Sequence, residues 1–254
     1  MMVALTSAAG APGVTTTGLG LVCAIGRAAR RAICLDADPV GGSAVLAGYF
    51  GGFESPAVTA VDLLLASRDD DFGLTLEQAL LPVGQSAFVL PGPRSHRQAA
   101  SVIDLWPALA DHLVSQESTD VVVDLGRLGM TSYADTFLWV ADAIALVMRC
   151  DLPAISAARQ WADWLRQLRQ TRPEMGPIGL ILIGSGRSYS AREIGRGLDL
   201  PVWATLGWLP AAATRYSLGA QRRDQRLPGQ YAACVQALRQ VARARSQVLG
   251  GDHG

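Results

Sequence analysis

Short apolar runs bounded by Gly, Pro or Asp recur along the chain at Met2–Ser7, Arg31–Leu35, Ala87–Leu90, Asp120–Asp124, Ala143–Met148, Ile178–Ile183 and Val202–Trp208. Their length and β-branched content predict strands buried on both faces. Between them the apolar positions change to three- and four-residue spacing, which predicts helices at Thr15–Ala29, Ser101–Val114, Ala154–Arg169, Ala191–Gly197 and Gln230–Val248. Strands alternating with amphipathic helices give an α/β fold: a mostly parallel twisted sheet of about seven strands with helices on both faces and its ligand site at the carboxyl ends of the strands.

The pattern has no internal repeat and no long linker, so one α/β domain over 1–249 followed by a flexible tail, 250–254, is expected. Its least regular stretch, Gly51 to Phe72, carries Gly51-Gly52, Pro56 and the run Asp69-Asp70-Asp71 and reads as a surface excursion. Half of the 254 residues are hydrophobic and 17% charged, enough for a full core. The 22 basic side chains balance 22 acidic ones, so no overall field draws the protein to nucleic acid or an anionic membrane. All the basic residues are arginine. Schiff-base chemistry, a lysine general base and a lysine grip on phosphate are therefore excluded.

Cys23, Cys34, Cys150 and Cys234 are far apart, which signals neither a zinc site nor a redox pair and fits reduced thiols in the cytoplasm. Met1 to Thr6 lacks the basic start of a signal peptide, and the apolar stretch Trp139–Met148 is short and interrupted by Asp142, so no membrane span is expected.

The informative chemistry follows the first strand. Ala8-Ala9-Gly10-Ala11-Pro12-Gly13-Val14-Thr15-Thr16-Thr17 leads into a helix, where small residues let backbone N–H groups converge on phosphate at a helix N-terminus. Gly10, Ala11 and Gly13 supply the turn, Val14 and Thr16 supply amides, and Thr15 supplies a hydroxyl for Mg²⁺. A phosphate loop of this kind ordinarily carries a lysine; Val14 stands in its place. Taken alone, the segment could equally be a strand-to-helix turn with a threonine cap.

The order of small residues closing on Gly-Val-Thr-Thr-Thr resembles the deviant Walker A loop of the ParA/MinD family, P-loop ATPases of the SIMIBI class. Leu35-Asp36-Ala37-Asp38-Pro39 is similar to that family's A′ motif, Val121-Val122-Val123-Asp124 to its Walker B strand, and Leu206-Gly207-Trp208-Leu209-Pro210, with the helix before Gly219, to its closing elements. The resemblance implies Asp38 as the catalytic A′ carboxylate, in vestigial form, Thr15, Asp36 and Asp124 as the Mg²⁺ group, and Pro210 at the nucleoside. From the residues alone, Asp36 and Asp38 could instead cap backbone amides, and Asp124 could be held by Arg127 or a loop amide.

The departures from the family are ordered too. Ala9 stands at the deviant lysine and Val14 at the general one, Gly184-Ser185 replaces an adenine-reading Asn, and Pro210-Ala211-Ala212 lacks the usual Asp. Two lost charge-assisted contacts, roughly 1.5–3 kcal/mol each, weaken nucleotide binding by roughly a hundred- to ten-thousand-fold. Loss of a cation at the transferred phosphoryl group costs about 10³–10⁵ in rate. ATP or ADP with Mg²⁺ is accordingly expected to be held weakly or not at all, with no useful turnover.

The resemblance then implies a non-catalytic scaffold that recruits protein partners of a secretion, pilus, division or partition machine, as TadZ-like members do, cytoplasmic or peripheral at a membrane or pole. The contrasting reading is an active ATPase using Arg149 or a partner's arginine, with non-specific DNA or membrane association. A homodimer is compatible with either. Arg149 is the candidate substitute phosphate ligand, against a pairing with Asp151. Arg222, Arg223 and Arg226, and Arg239, Arg243 and Arg245 on the last helix, are read as a solvated face ahead of a DNA surface. Trp161 and Trp164, in step with Leu165 and Leu168, are read as sheet packing, and an exposed tryptophan there as a partner surface.

Overall fold

A computed structural model describes residues 1–40, 42–69, 71–131, 133–184, 189–220 and 226–251. In chain order the elements are β1 (Met2–Ser7), α1 (Val14–Arg27), β2 (Arg31–Asp36), a π-helical turn (Val45–Tyr49), α2 (Ala60–Ala66), α3 (Phe72–Ala79), β3 (Leu81–Gly84), β4 (Ala87–Leu90), α4 (His96–Ser101) and α5 (Leu105–Ser115). There follow β5 (Thr119–Arg127), α6 (Thr136–Val140), β6 (Ala143–Arg149), α7 (Leu152–Thr171), β7 (Ile178–Ile183), α8 (Ala191–Leu198), β8 (Val202–Leu206), α9 (Pro210–Ser217) and α10 (Arg226–Gly251).

The eight strands form one sheet in the order β3-β4-β2-β5-β1-β6-β7-β8, parallel except for the antiparallel β3–β4 pair. The fold class read from the pattern is therefore right, with one strand added. Leu81–Gly84 escapes the pattern because it is short, half exposed and interrupted by Pro82, a residue confined to sheet edges. Strand β1 is central: the chain leaves it toward β2 and later returns past it to β6, so the crevice beyond its carboxyl end is the topological switch point.

Alternation along the strands separates two cores. Ala4, Ile33, Leu35, Val121, Val123 and Leu146 face one side, packed by α2, α3 and α5 to α8. Val3, Leu5, Cys34, Val122 and Ala145 face the other, packed by α1, α9 and α10.

Most element ends shift by a few residues, β5 for instance running over Thr119–Arg127 in place of Asp120–Asp124, and three differences are larger or bear on the site. The helix predicted over Ser101–Val114 is two, α4 and α5, with a break at 102–104. The stretch from Gly51 to Phe72 contains α2, started by a capping box in which Thr59 and Asp62 satisfy each other's ends. Strand β8 stops at Leu206 instead of Trp208, because the next amide, Gly207 N–H, donates to Gln230 Oε1 at 2.7 Å. Helix α10 is described through Gly251. Asp70, Ser185, Arg222, Arg223, Asp224 and 252–254 lie outside the described residues. Among the described residues no helix is long and apolar enough to cross a membrane.

Candidate functional site

The loop from Ala8 to Gly13 crosses the switch point, and helix α1 begins beneath it. Gly13 caps that helix at φ 106°, a left-handed conformation that favours glycine, and no side chain caps the helix end. The first intrahelical bond is Thr17 N–H to Gly13 carbonyl, at 2.8 Å. The amides of Val14, Thr15 and Thr16 are thus the free donors of a helix N-terminus, with the positive end of its dipole behind them. Gly10 is also left-handed, at φ 66°, and exposed with Ala9 and Ala11.

Val14 is 6% exposed and belongs to the core on the α1 side of the sheet. Only its amide is available to a ligand. The Val14 side chain packs into this core and brings no charge to the loop.

Sheet register brings the carboxylates to the start of α1. Asp36 and Asp124 are cross-strand partners of β2 and β5, and they continue the Cys34 and Val122 rows that face α1. Both are buried. Thr15 Oγ1 donates to Asp124 Oδ2 at 2.5 Å, and Gly126 N–H donates to Asp124 Oδ1 at 2.9 Å. The Gly126 amide near the end of β5, neither Arg127 nor a loop amide, thus shares Asp124 with Thr15. Ser43 Oγ donates to Asp36 Oδ2 at 2.8 Å. Asp38 Oδ1 accepts from Val40 N–H at 2.9 Å, an amide-capping role, and its carboxyl lies against Gly126.

Burial raises the Asp124 carboxyl to about 7, aided by the charge of Asp36 and opposed by the Thr15 and Gly126 hydrogen bonds. Burial likewise raises Asp36 to about 6, against the Ser43 bond. The mutual repulsion of two buried carboxylates is what a divalent ion would relieve. Mg²⁺ fits this donor set: Thr15 and Asp124 would hold it, directly or through water, with Asp36 behind them and phosphate completing its shell. Among the described residues no three His, Cys, Asp or Glu side chains form a cage that would hold a metal unaided.

Beside the loop lies an apolar hollow of about 250 Å³ lined by Gly13, Thr16, Ile183, Trp208, Pro210 and Tyr231. A second, of about 260 Å³, lies along Ala8–Pro12, Arg149 and Asp151. Pro210, the first residue of α9, therefore lines the hollow beside the Ala8–Gly13 loop. Arg149 is at the rim of both hollows, with its guanidinium carbon 4.9 Å from the Trp208 ring centre and Nη2 3.5 Å from the Ala11 carbonyl. The alternative pairing with Asp151 does not form: Asp151 Oδ1 caps α7 by accepting from Ala154 N–H at 3.0 Å.

Motif reasoning missed Ser43, Gly126, Trp208 and Tyr133. Tyr133 O–H donates to Thr6 Oγ1 at 2.8 Å, and Thr6 donates to the Gly126 carbonyl at 3.2 Å. The only local signal is a glycine two residues after Asp124.

The other surfaces do not join the site. Arg239 pairs with Asp120 at 2.9 Å and Arg245 with Asp142 at 3.0 Å, at the amino end of the sheet. Trp161 meets Trp164 edge to face with centres 5.6 Å apart; Trp161 packs over Gly129, and Trp164 is 40% exposed.

No protein-family model matches the chain, and no curated protein matches it. Solved structures do. A ParA family ATPase from Chlorobium tepidum superposes with a TM-score of 0.75 at 16% identity, over 92% of this chain and 97% of that one. The septum site-determining protein MinD from Pyrococcus horikoshii, complexed with Mg-ADP, gives 0.73 at 17% identity, over 96% and 98%. McdA of Cyanothece, in an ATP complex, gives 0.69 at 15% identity, over 93% and 95%. The chain has the fold of the MinD and ParA ATPases.

Proposed function

We propose that the protein is a MinD/ParA-like positioning or recruitment scaffold that holds a magnesium nucleotide weakly and does not turn it over usefully. In this reading it serves a secretion, pilus, division or partition machine through protein partners, and pairs as a homodimer. The observation that carries the reading is the split between retained and lost parts of one site. The uncapped α1 amides and the Thr15–Asp124 pair remain, while Val14 is buried in the core where a cation would have to project.

A nucleotide is in keeping with two structures of similar fold, the P. horikoshii MinD, complexed with Mg-ADP, and the Cyanothece McdA, in an ATP complex. Main-chain donors and Mg²⁺ suffice to bind a diphosphate, but they leave a transferring phosphoryl group without the lysine that a phosphate loop ordinarily sets against it. Asp38 is then vestigial, held in the loop by Val40 N–H.

Calorimetry with Mg-ADP and Mg-ATP, alongside phosphate release, tests this. Millimolar or high-micromolar binding with no Asp38-dependent turnover is expected. Turnover near that of an ordinary ATPase and abolished by Asp38→Ala would refute the scaffold reading.

A second reading, an active ATPase with Arg149 in the lysine's role, is favoured by Arg149 standing at 3.5 Å from the loop carbonyl of Ala11. It requires Arg149→Gln to abolish hydrolysis.

A further inference from the structure

We infer that Trp208 is a parking face for Arg149, and that a phosphate-bearing ligand draws the guanidinium off the ring and onto the phosphate loop. This rests on the nucleotide reading of the same site. Arg149 is the last residue of β6, and its guanidinium is held by two contacts only loosely: the face of Trp208, 4.9 Å from the ring centre, and the Ala11 carbonyl at 3.5 Å, beyond an ordinary N–H···O bond. Among the described residues no carboxylate pairs with it, because Asp151 is engaged as the cap of α7.

Trp208, 41% exposed, is carried on an anchored stretch of backbone. Trp208 follows Gly207, whose amide is tied to Gln230 at 2.7 Å, and precedes the start of α9 at Pro210. The arginine is the movable one, a long side chain at the rim between the two hollows, with a different hollow on either side. An exposed cation–π contact is weaker than a charge-assisted bond to phosphate, so the exchange runs toward the phosphate when one arrives. Trp208 is therefore a positioning residue: it stores the cation beside the cradle and weakens phosphate binding by the strength of the parking contact.

The test uses the full chain with magnesium pyrophosphate, which has phosphates and no base, and with Mg-ADP. Binding is followed by calorimetry and by tryptophan emission, with Trp208→Phe separating Trp208 from the other tryptophans. Pyrophosphate alone is expected to change the Trp208 emission, and Arg149→Gln to abolish that change and weaken pyrophosphate binding at least tenfold. Trp208→Leu frees the arginine and tightens pyrophosphate roughly two- to five-fold, whereas Trp208→Phe, which keeps a ring face, binds as the unmodified protein does. An emission change with ADP but not pyrophosphate means the ring stacks on a base and overturns the inference. Unchanged or weaker pyrophosphate binding in Trp208→Leu overturns it as well. Binding of both ligands with no Trp208 response removes the inference and leaves the nucleotide reading standing, while absence of binding by either ligand removes both.

Discussion

Asp36 and Asp124 face each other across neighbouring strands, both buried, with hydroxyl and amide donors around them. Like charges in a low-dielectric site destabilise the fold that holds them. Asp124→Asn keeps an oxygen for Thr15 or Gly126 and removes one charge, and is expected to stabilise the ligand-free protein by about 1–3 kcal/mol near neutral pH. The same variant should lose magnesium-dependent nucleotide binding. Thermal unfolding with and without Mg-ADP checks both halves; a less stable ligand-free variant would mean that the pair is not under repulsion.

Gly126 is the hinge of that arrangement. Its φ of 63° disfavours any other residue, and an added Cβ would come within 2.4 Å of the Asp38 carboxyl carbon. Gly126→Ala should therefore displace Asp38 as well as strain the turn, at a cost of roughly 1–3 kcal/mol. Denaturant unfolding measures the cost, and the carbon chemical shift of the Asp38 carboxyl reports the displacement. An unshifted Asp38 signal would show that the close approach is not maintained in solution.

The strands and the switch-point loop were legible because each is written locally, as apolar runs and as small residues before a helix; that Thr15 and Asp124 belong together came only from the family resemblance. Ser43, Tyr133 and Trp208 were not legible. Ser43 reaches Asp36 only through the turn after β2, Tyr133 meets Thr6 from 127 residues away, and Trp208 meets Arg149 because β8 ends early. Val14 shows the converse case: its identity was plain, but that it is packed into the core rather than lying idle in the cleft depends on Leu5, Ile181 and the other residues assembled around α1.

At the opposite end of the sheet, Asp120 is buried between Arg239 at 2.9 Å, Arg30 at 3.0 Å and the Met1 ammonium at 3.1 Å. Burial opposes its ionisation, but the Arg239 bond, the ammonium and Arg30 together outweigh burial and hold the carboxyl below its ordinary value. A carboxyl depressed by folding contributes stability above the unfolded value of about 4, and that contribution is lost as pH falls through the folded value. Asp120→Asn should cost roughly 1–3 kcal/mol at pH 7, with the two proteins converging in stability as pH falls from neutral through the folded value of Asp120. Urea unfolding across that range decides it, and a constant difference at all pH values would show that the charge is not what Asp120 contributes.

Returning cations to the loop separates a degraded phosphate site from a turn that merely looks like one. Ala9 is exposed, so Ala9→Lys should fold without difficulty. Val14→Lys must pull its ammonium out of the core around α1, and in the ligand-free protein that should cost about 1–3 kcal/mol. If the α1 amides face a phosphate, the emerging ammonium meets it, and each restored charge-assisted bond is worth roughly 1.5–3 kcal/mol, or about ten- to a hundred-fold in affinity. The double variant should accordingly unfold at a lower temperature alone and recover most of the loss with Mg-ATP, with calorimetry showing at least tenfold tighter binding. Equal destabilisation with and without nucleotide would mean that the amides of Val14, Thr15 and Thr16 do not converge on a ligand.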